Sequence, residues 1–326
     1  ARLRERGAVF LGKTLMDEAA LGALGDNSVF GRAHNPRAHG HTAGGSSSGS
    51  AAAVAAGLCA AALGTDTLGS VRIPASYCGI VGLVPSAGAI DSAGVLPLAP
   101  SLDRVGVLAR SVADAACVAG ALFDLAPIAL ATTARVGVLR GLQTIVPGPI
   151  LAAVEATANA LERAGHRIVE IDVGAFDWTS ARRAAFLLIE VEGARVHSVL
   201  LDDPRSAISP ALRRALEFGR SAGVERIERA STQIGRARGA ILEWLSNCDV
   251  VLLPTTPQVA FSFGADIPAS QADLTALASI AGLPAVSIPA GTTKKGLPSG
   301  AQLVAAHGRD TLLLGVAESV SRSLAS

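Results

Sequence analysis

Aromatic residues are scarce in this chain: eight Phe, two Trp and one Tyr make up 3% of 326 residues. With Tyr77 as the lone tyrosine, no row of rings is available on which single-stranded nucleic acid could stack. An excess of charge is missing as well, since 28 Lys and Arg against 27 Asp and Glu leave a net +1. No basic stripe supplies phosphate contacts, so nucleic acid is not an expected partner. The four cysteines, Cys59, Cys78, Cys117 and Cys248, form no CxxC pair. That spacing excludes a zinc ribbon and a disulfide scaffold, and the thiols read as small buried hydrophobes in a reducing, cytoplasmic compartment. Long apolar runs are absent too: residues 51–64 are mostly Ala and Gly, too short and too weakly hydrophobic to span a bilayer. The charged opening, residues 1–7, has no apolar core of an export signal and no initiator Met.

What is present is enough for a large core. Hydrophobic residues are 50% and charged residues 17% of the chain, which suits a compact fold. Apolar periodicity predicts a helix over 149–165 closed by Gly165, with strands at 135–139 and 166–172 on either side. Further strands are expected at 250–253, 285–288 and 301–304, and a closing helix at 310–324. Residues 178–201 and 210–245 read as long helices, the second broken near 219–223. Alternation of this kind indicates α/β layers, and no linker or internal repeat divides the chain, so one domain over 1–326 is expected.

The stretch Thr42-Ala-Gly-Gly-Ser-Ser-Ser-Gly-Ser50 has the composition of a flexible linker. It runs, however, into a helical Ala51–Ala56 that Ser47 or Ser48 could cap, with Gly57 to stop it. A small-residue strand is expected at 58–63, followed by Gly64-Thr-Asp-Thr-Leu-Gly-Ser70. Taken alone, a turn rich in backbone N–H groups that delivers a serine to the next helix reads first as a solvated turn with a capping serine, and an oxyanion-binding loop is the alternative.

Taken together, Gly44-Gly-Ser-Ser-x-Gly-Ser50 and, 24 residues beyond Ser46, Ser70 with Arg72 and Pro74 resemble the signature of the amidase signature family of serine hydrolases. The similarity extends upstream to Gly7–Thr14, Asp17-Glu18 and Asn35-Pro36, the family's strand and loop ahead of the glycine-serine stretch. Downstream it includes Leu102-Asp103, Leu252-Leu-Pro-Thr-Thr-Pro257, Ala281-Gly-Leu-Pro284 and Gly296-Leu-Pro-x-Gly-x-Gln-Leu303. The resemblance implies an α/β/α sandwich around a mixed central sheet. It implies hydrolysis of a carboxamide through an acyl-serine, with Ser70 as nucleophile and Ser46, after a cis peptide from Gly45, as bridging serine. The amides of Thr67, Leu68, Gly69 and Ser70 would form the oxyanion hole, with Asp66, Arg72, Gly45 and Ser47 in support. It implies no cofactor and no metal; the irregularly spaced His34, His39 and His41 match no ligand pattern. The expected partner is a small-molecule amide, with no membrane and with a homodimer allowed. The family's variants include the glutamine-hydrolysing subunit of a tRNA-dependent amidotransferase, allophanate-type hydrolases and catalytically silent relatives.

One element of the pattern has no counterpart. The third catalytic group implied by the resemblance is a lysine on a strand preceding the Gly-Lys-Thr segment, and the lysines present are Lys13, Lys294 and Lys295. Lys13 matches the Gly-Lys-Thr motif itself, and the other two fall in a turn. Two explanations are open: a chain that is incomplete at its N-terminus, which is the expectation, and a shortened homologue that cannot complete the relay. Either way the chain as written is expected to be severely impaired in proton transfer.

Overall fold

The computed structural model describes residues 1–126 and 133–323, with the backbone alone for 321–323. Its centre is an eight-stranded mixed sheet. The strands are β1 (Ala61–Asp66), β2 (Val81–Val84), β3 (Arg104–Ala109), β4 (Arg135–Arg140), β5 (Arg167–Asp172), β6 (Val250–Pro254), β7 (Ala285–Thr292) and β8 (Pro298–Ala305), in spatial order β1-β3-β2-β7-β8-β6-β4-β5. Pairing is antiparallel from β1 through to β6 and parallel for β6-β4 and β4-β5.

The alternation of side chains along these strands builds an apolar core on each face of the sheet, and Val84 and Leu108 join a separate cluster with Val54, Val71 and Ala75. Val250 and Leu252 of β6, with Leu303 of β8, face one way; Val251 and Leu253, with Val304, face the other. Because both faces are apolar, the strands are near-continuous hydrophobic runs, the pattern of a sheet covered on both sides. Besides the short α-helices Arg2–Glu5 and Ser198–Asp202, the α-helices among the described residues are α1 (Ser48–Ala55), α2 (Arg72–Cys78), α3 (Val112–Leu122), α4 (Gly148–Arg163), α5 (Trp178–Val196), α6 (Pro210–Arg220), α7 (Val224–Ser246), α8 (Ala276–Ile280) and α9 (Asp310–Ser323). Helices α3, α4 and α9 pack on the first face, whereas α5, α7 and α8 pack on the second. The result is the three-layered α/β arrangement expected. None of the helices among the described residues is long and apolar enough to cross a membrane.

Some local readings differ. The strand expected at 58–63 runs over Ala61–Asp66, because a left-handed Gly57 and the Leu58 amide close helix α1 onto Val54 and Ala53 before the chain extends. The helix expected over 178–201 ends at Val196, and a separate short helix, Ser198–Asp202, follows. The break expected in 210–245 is present between Arg220 and Val224; of the closing helix, Leu324 lies outside the described residues. Gly7–Thr14 belongs to no strand, and Val9 and Leu11 stand 84% and 74% exposed. The cysteines are also mixed rather than uniformly buried, since Cys117 is exposed and Cys59 half-buried.

Candidate active site

The site is built where β1 hands the chain to α2. Helix α2 is buried along its whole length, and Gly79, in the left-handed region at φ 66°, ends it while the Ile80 amide returns to the Ala75 carbonyl. Arg72 opens this helix with no exposure at all. Its Nε and one terminal nitrogen donate to the two oxygens of Asp66 at 3.0 and 2.9 Å, a bidentate fork. The remaining donors reach the Thr275 carbonyl at 2.9 Å, Gln302 Oε1 at 3.1 Å and Ser279 Oγ at 2.8 Å. Burial alone would raise the Asp66 carboxyl; the charge and hydrogen bonds of Arg72 outweigh it and hold the group below the usual carboxylate range. Asp66 in turn accepts the Val71 amide at 3.2 Å, so one ion pair anchors both ends of residues 67–70.

That intervening loop is left with donors to spare. Among the described residues, none of the amides of Thr67, Leu68, Gly69 and Ser70 donates a hydrogen bond. Three of the loop's other groups are engaged: Thr67 Oγ1 donates to Asp103 Oδ1 at 2.7 Å, the Leu68 carbonyl accepts Thr275 Oγ1 at 2.5 Å, and the Gly69 carbonyl accepts the Ile73 amide at 2.7 Å. Asp103 is itself fixed by the amides of Leu98 and Ala99 at 2.7 and 2.9 Å. The Thr67 side chain and the carbonyls of Leu68 and Gly69 are tied back while the four N–H groups are unengaged, an arrangement suited to a developing negative charge.

The glycine-serine stretch lies against this loop. The Ser47 amide donates to the Ser70 carbonyl at 3.2 Å. The Gly45–Ser46 peptide bond is cis, and Ser46 is fully buried. Ser46 Oγ has no hydrogen-bond partner among the described residues, so the hydroxyl pair expected of Ser46 and Ser70 is not closed. Ser47 precedes α1 but does not cap it with its side chain; the hydroxyl is spent on the Thr65 backbone of β1, accepting the amide at 3.2 Å and donating to the carbonyl at 3.3 Å. Ser48 Oγ likewise leaves the helix for the Leu15 carbonyl.

Sequence reasoning did not single out Asp17 as a supporting group. Its amide donates to the Ser46 carbonyl at 3.2 Å, and its carboxylate accepts the amides of Leu24 and Gly25 at 3.3 and 3.0 Å. The carboxylate lies so close to Gly45 that a side chain there would fall on it. Burial pushes the Asp17 carboxyl up to about 6 against the lowering effect of those amides. Thr275 and Ser279 were missed as well, and nothing in their neighbourhood signals the role, whereas Gln302 sits in a motif already noted. Lys13 is exposed, and among the described residues Lys13, Lys294 and Lys295 take part in no hydrogen bond or ion pair. Among the described residues no group of three His, Cys, Asp or Glu is placed to hold a metal ion.

Comparison with known proteins gives a consistent result. The family model described as Amidase matches residues 1–314. A glutamyl-tRNA(Gln) amidotransferase subunit from Koribacter versatilis is 33% identical over 374 aligned residues, covering 100% of this chain and 77% of that protein. The crystal structure of an amidase superposes with a TM-score of 0.90 at 32% identity, covering 98% of this chain and 76% of the other. A 6-aminohexanoate cyclic dimer hydrolase in complex with substrate gives a TM-score of 0.85 at 27% identity, with coverage of 99% and 77%.

Proposed function

The chain belongs to the amidase family, and from that premise we propose that it hydrolyses a carboxamide to a carboxylate and ammonia or an amine through an acyl-enzyme on Ser70. Ser70 Oγ attacks the amide carbon, and the carbonyl oxygen, now an oxyanion, turns toward the amides of Thr67, Leu68, Gly69 and Ser70. Ser46 takes the proton of Ser70 and returns one to the departing nitrogen; water then attacks the acyl-serine by the same route in reverse. The observation that carries this reading is the set of four unengaged amides at residues 67–70, ending on a half-buried serine. Each such donor is worth about 10²–10³ in rate when aimed at the oxyanion. The free Ser46 hydroxyl supports the relay, since it has no competing acceptor to release before Ser70 approaches. No lysine reaches Ser46, so the last base of the relay is assigned to no residue of this chain.

A fluorophosphonate probe tests the nucleophile directly. Mass analysis of the labelled protein is expected to place the adduct on the peptide containing Ser70. Ser70→Ala abolishes labelling, and Ser46→Ala slows it by about 10²-fold or more, the scale of a lost proton-transfer group. A folded wild-type chain that takes no label at Ser70 defeats the proposal.

The name of the K. versatilis relative favours a narrower second reading, in which glutamine is the amide and the chain works within an amidotransferase of several subunits. Ammonia release from glutamine and from simple aliphatic amides, each measured with the chain alone and with the other amidotransferase subunits added, separates the two. Release that is selective for glutamine and rises with those partners supports the amidotransferase reading.

A further inference from the structure

At the end of the sheet that carries the 67–70 loop, a cavity of about 490 Å³ opens between Pro85 after β2, Arg104 at the start of β3 and Gly282 ahead of β7. Three basic side chains among the described residues line it: Arg104, Arg238 and His307. Arg104 is 7% exposed, yet its donors go to neutral acceptors only. One terminal nitrogen serves the Pro85 and Leu283 carbonyls at 3.1 and 2.6 Å, the other reaches Ser279 Oγ at 3.4 Å, and Nε has no partner among the described residues. Arg238, which is exposed on α7, spends Nε and one terminal nitrogen on the Ile280 carbonyl. Among the described residues neither arginine forms an ion pair.

Among the described residues the one carboxylate in the lining is Asp103, and its oxygens already accept Thr67 Oγ1 and the amides of Leu98 and Ala99. It therefore does not neutralise the guanidinium groups by contact. A buried cation without a counter-charge in contact is costly, and Arg104 lines this cavity with neutral acceptors alone around its guanidinium. The same lack shows in the acidity of Arg104, which burial lowers to about 10, with Arg72 adding to the fall while Asp66 and Asp310 oppose it from beyond contact.

We propose that this cavity is a binding site for a small organic anion, with a carboxylate or phosphate group held between Arg104 and Arg238. The volume lies in the range of small-molecule sites, large enough for an anion carrying a carbon skeleton. Guanidinium groups favour oxyanions over halide, because planar N–H donors match pairs of oxygens. The site is separate from the proposed hydrolytic centre, since neither Ser46 nor Ser70 lines it. The two share structural residues: Asp103 holds Thr67, and Ser279 touches both Arg104 and Arg72.

Isothermal titration of the full chain with succinate, inorganic phosphate and chloride, at matched ionic strength and pH 7, tests the proposal. Saturable binding is expected for succinate, phosphate or both, and none for chloride; the two oxyanion arms decide which group the cavity prefers. Arg238→Ala removes an exposed side chain and leaves the fold intact, so it is the variant on which the outcome rests. Its affinity is expected to fall about tenfold or more, the loss of a charge-assisted contact. Arg104→Gln gives the stronger loss where it folds, and the Ser70→Ala protein is expected to bind as wild type. Absence of saturable binding by both oxyanions, or unchanged affinity in Arg238→Ala, overturns the proposal. Neither result bears on labelling of Ser70, so the hydrolytic reading stands or falls independently.

Discussion

The pair of Asp66 and Arg72 shows how much one residue can settle in this protein. Both side chains have no exposure, and every polar atom of the fork is matched, so removing one partner leaves a bare charge in the core. Breaking such a pair costs about 3–5 kcal/mol. Arg72→Met is expected to lower the urea midpoint accordingly. The double variant Asp66→Asn with Arg72→Met is expected to lose less than the sum of the singles, because the second change removes the orphaned charge that the first created. Asp17 makes the opposite kind of prediction. Its folded carboxyl titrates near 6, above the ordinary 3.8, so the folded state holds a proton that the unfolded chain has given up. Its contribution is neutral below about pH 4, and stability falls as pH rises toward 6, by about 3 kcal/mol at most for a shift of this size. In Asp17→Asn that part of the slope in the urea midpoint is expected to vanish. A residual slope toward pH 7 belongs to Glu190, whose carboxyl burial raises to about 7 against the pull of Arg226. Residues of this kind differ in legibility. Asp66 and Arg72 stand six apart in a recognisable motif, whereas Thr275 and Ser279 reach Arg72 across 203 and 207 positions and leave no spacing to read.

Among the elements, the loop between β1 and α2 depends on glycine for its shape. Gly69 has φ +140°, and a side chain there would fall on Thr275 Oγ1, the hydroxyl that holds the Leu68 carbonyl. Gly69→Ala is expected to turn the free amides out of line and to slow fluorophosphonate labelling of Ser70 by about 10²-fold, as loss of one oxyanion donor does. Gly120 provides the contrast, exposed near the end of α3 with open space around its Cα. Gly120→Ala is expected to raise the stability read from urea unfolding by about 0.5–1 kcal/mol, through helix propensity, and to leave labelling unchanged. The glycine-serine segment was readable because only small residues fit where backbone meets backbone, and their order survives as a motif. Gly7–Thr14 was misread for the converse reason. Strand identity is conferred by a neighbour, and although this segment has the right residues, no strand of the described structure pairs with it.

At the scale of the whole molecule, a single sheet is the common wall of two apolar layers, and we propose that residues 1–326 unfold as one domain. The tryptophans report on one layer only. Trp178 of α5 and Trp244 of α7 lie 5.7 Å apart, with Phe176 edge-on to both, on the face that also holds Val251 and Val304. Leu303, the neighbour of Val304 on β8, points into the opposite layer among α3, α4 and α9, and is fully buried. Leu303→Ala therefore opens a cavity in a layer that contains neither tryptophan, at a cost of about 2–5 kcal/mol. If the sheet couples the layers, the urea transition seen by tryptophan fluorescence shifts by the same amount as that seen by far-ultraviolet circular dichroism. If each layer were an independent unit, fluorescence would keep its wild-type midpoint while the dichroism split into two steps. Adjacent residues of β6 and β8 face opposite cores, so neither layer keeps these strands to itself when the other melts. Coincident transitions are the expected outcome.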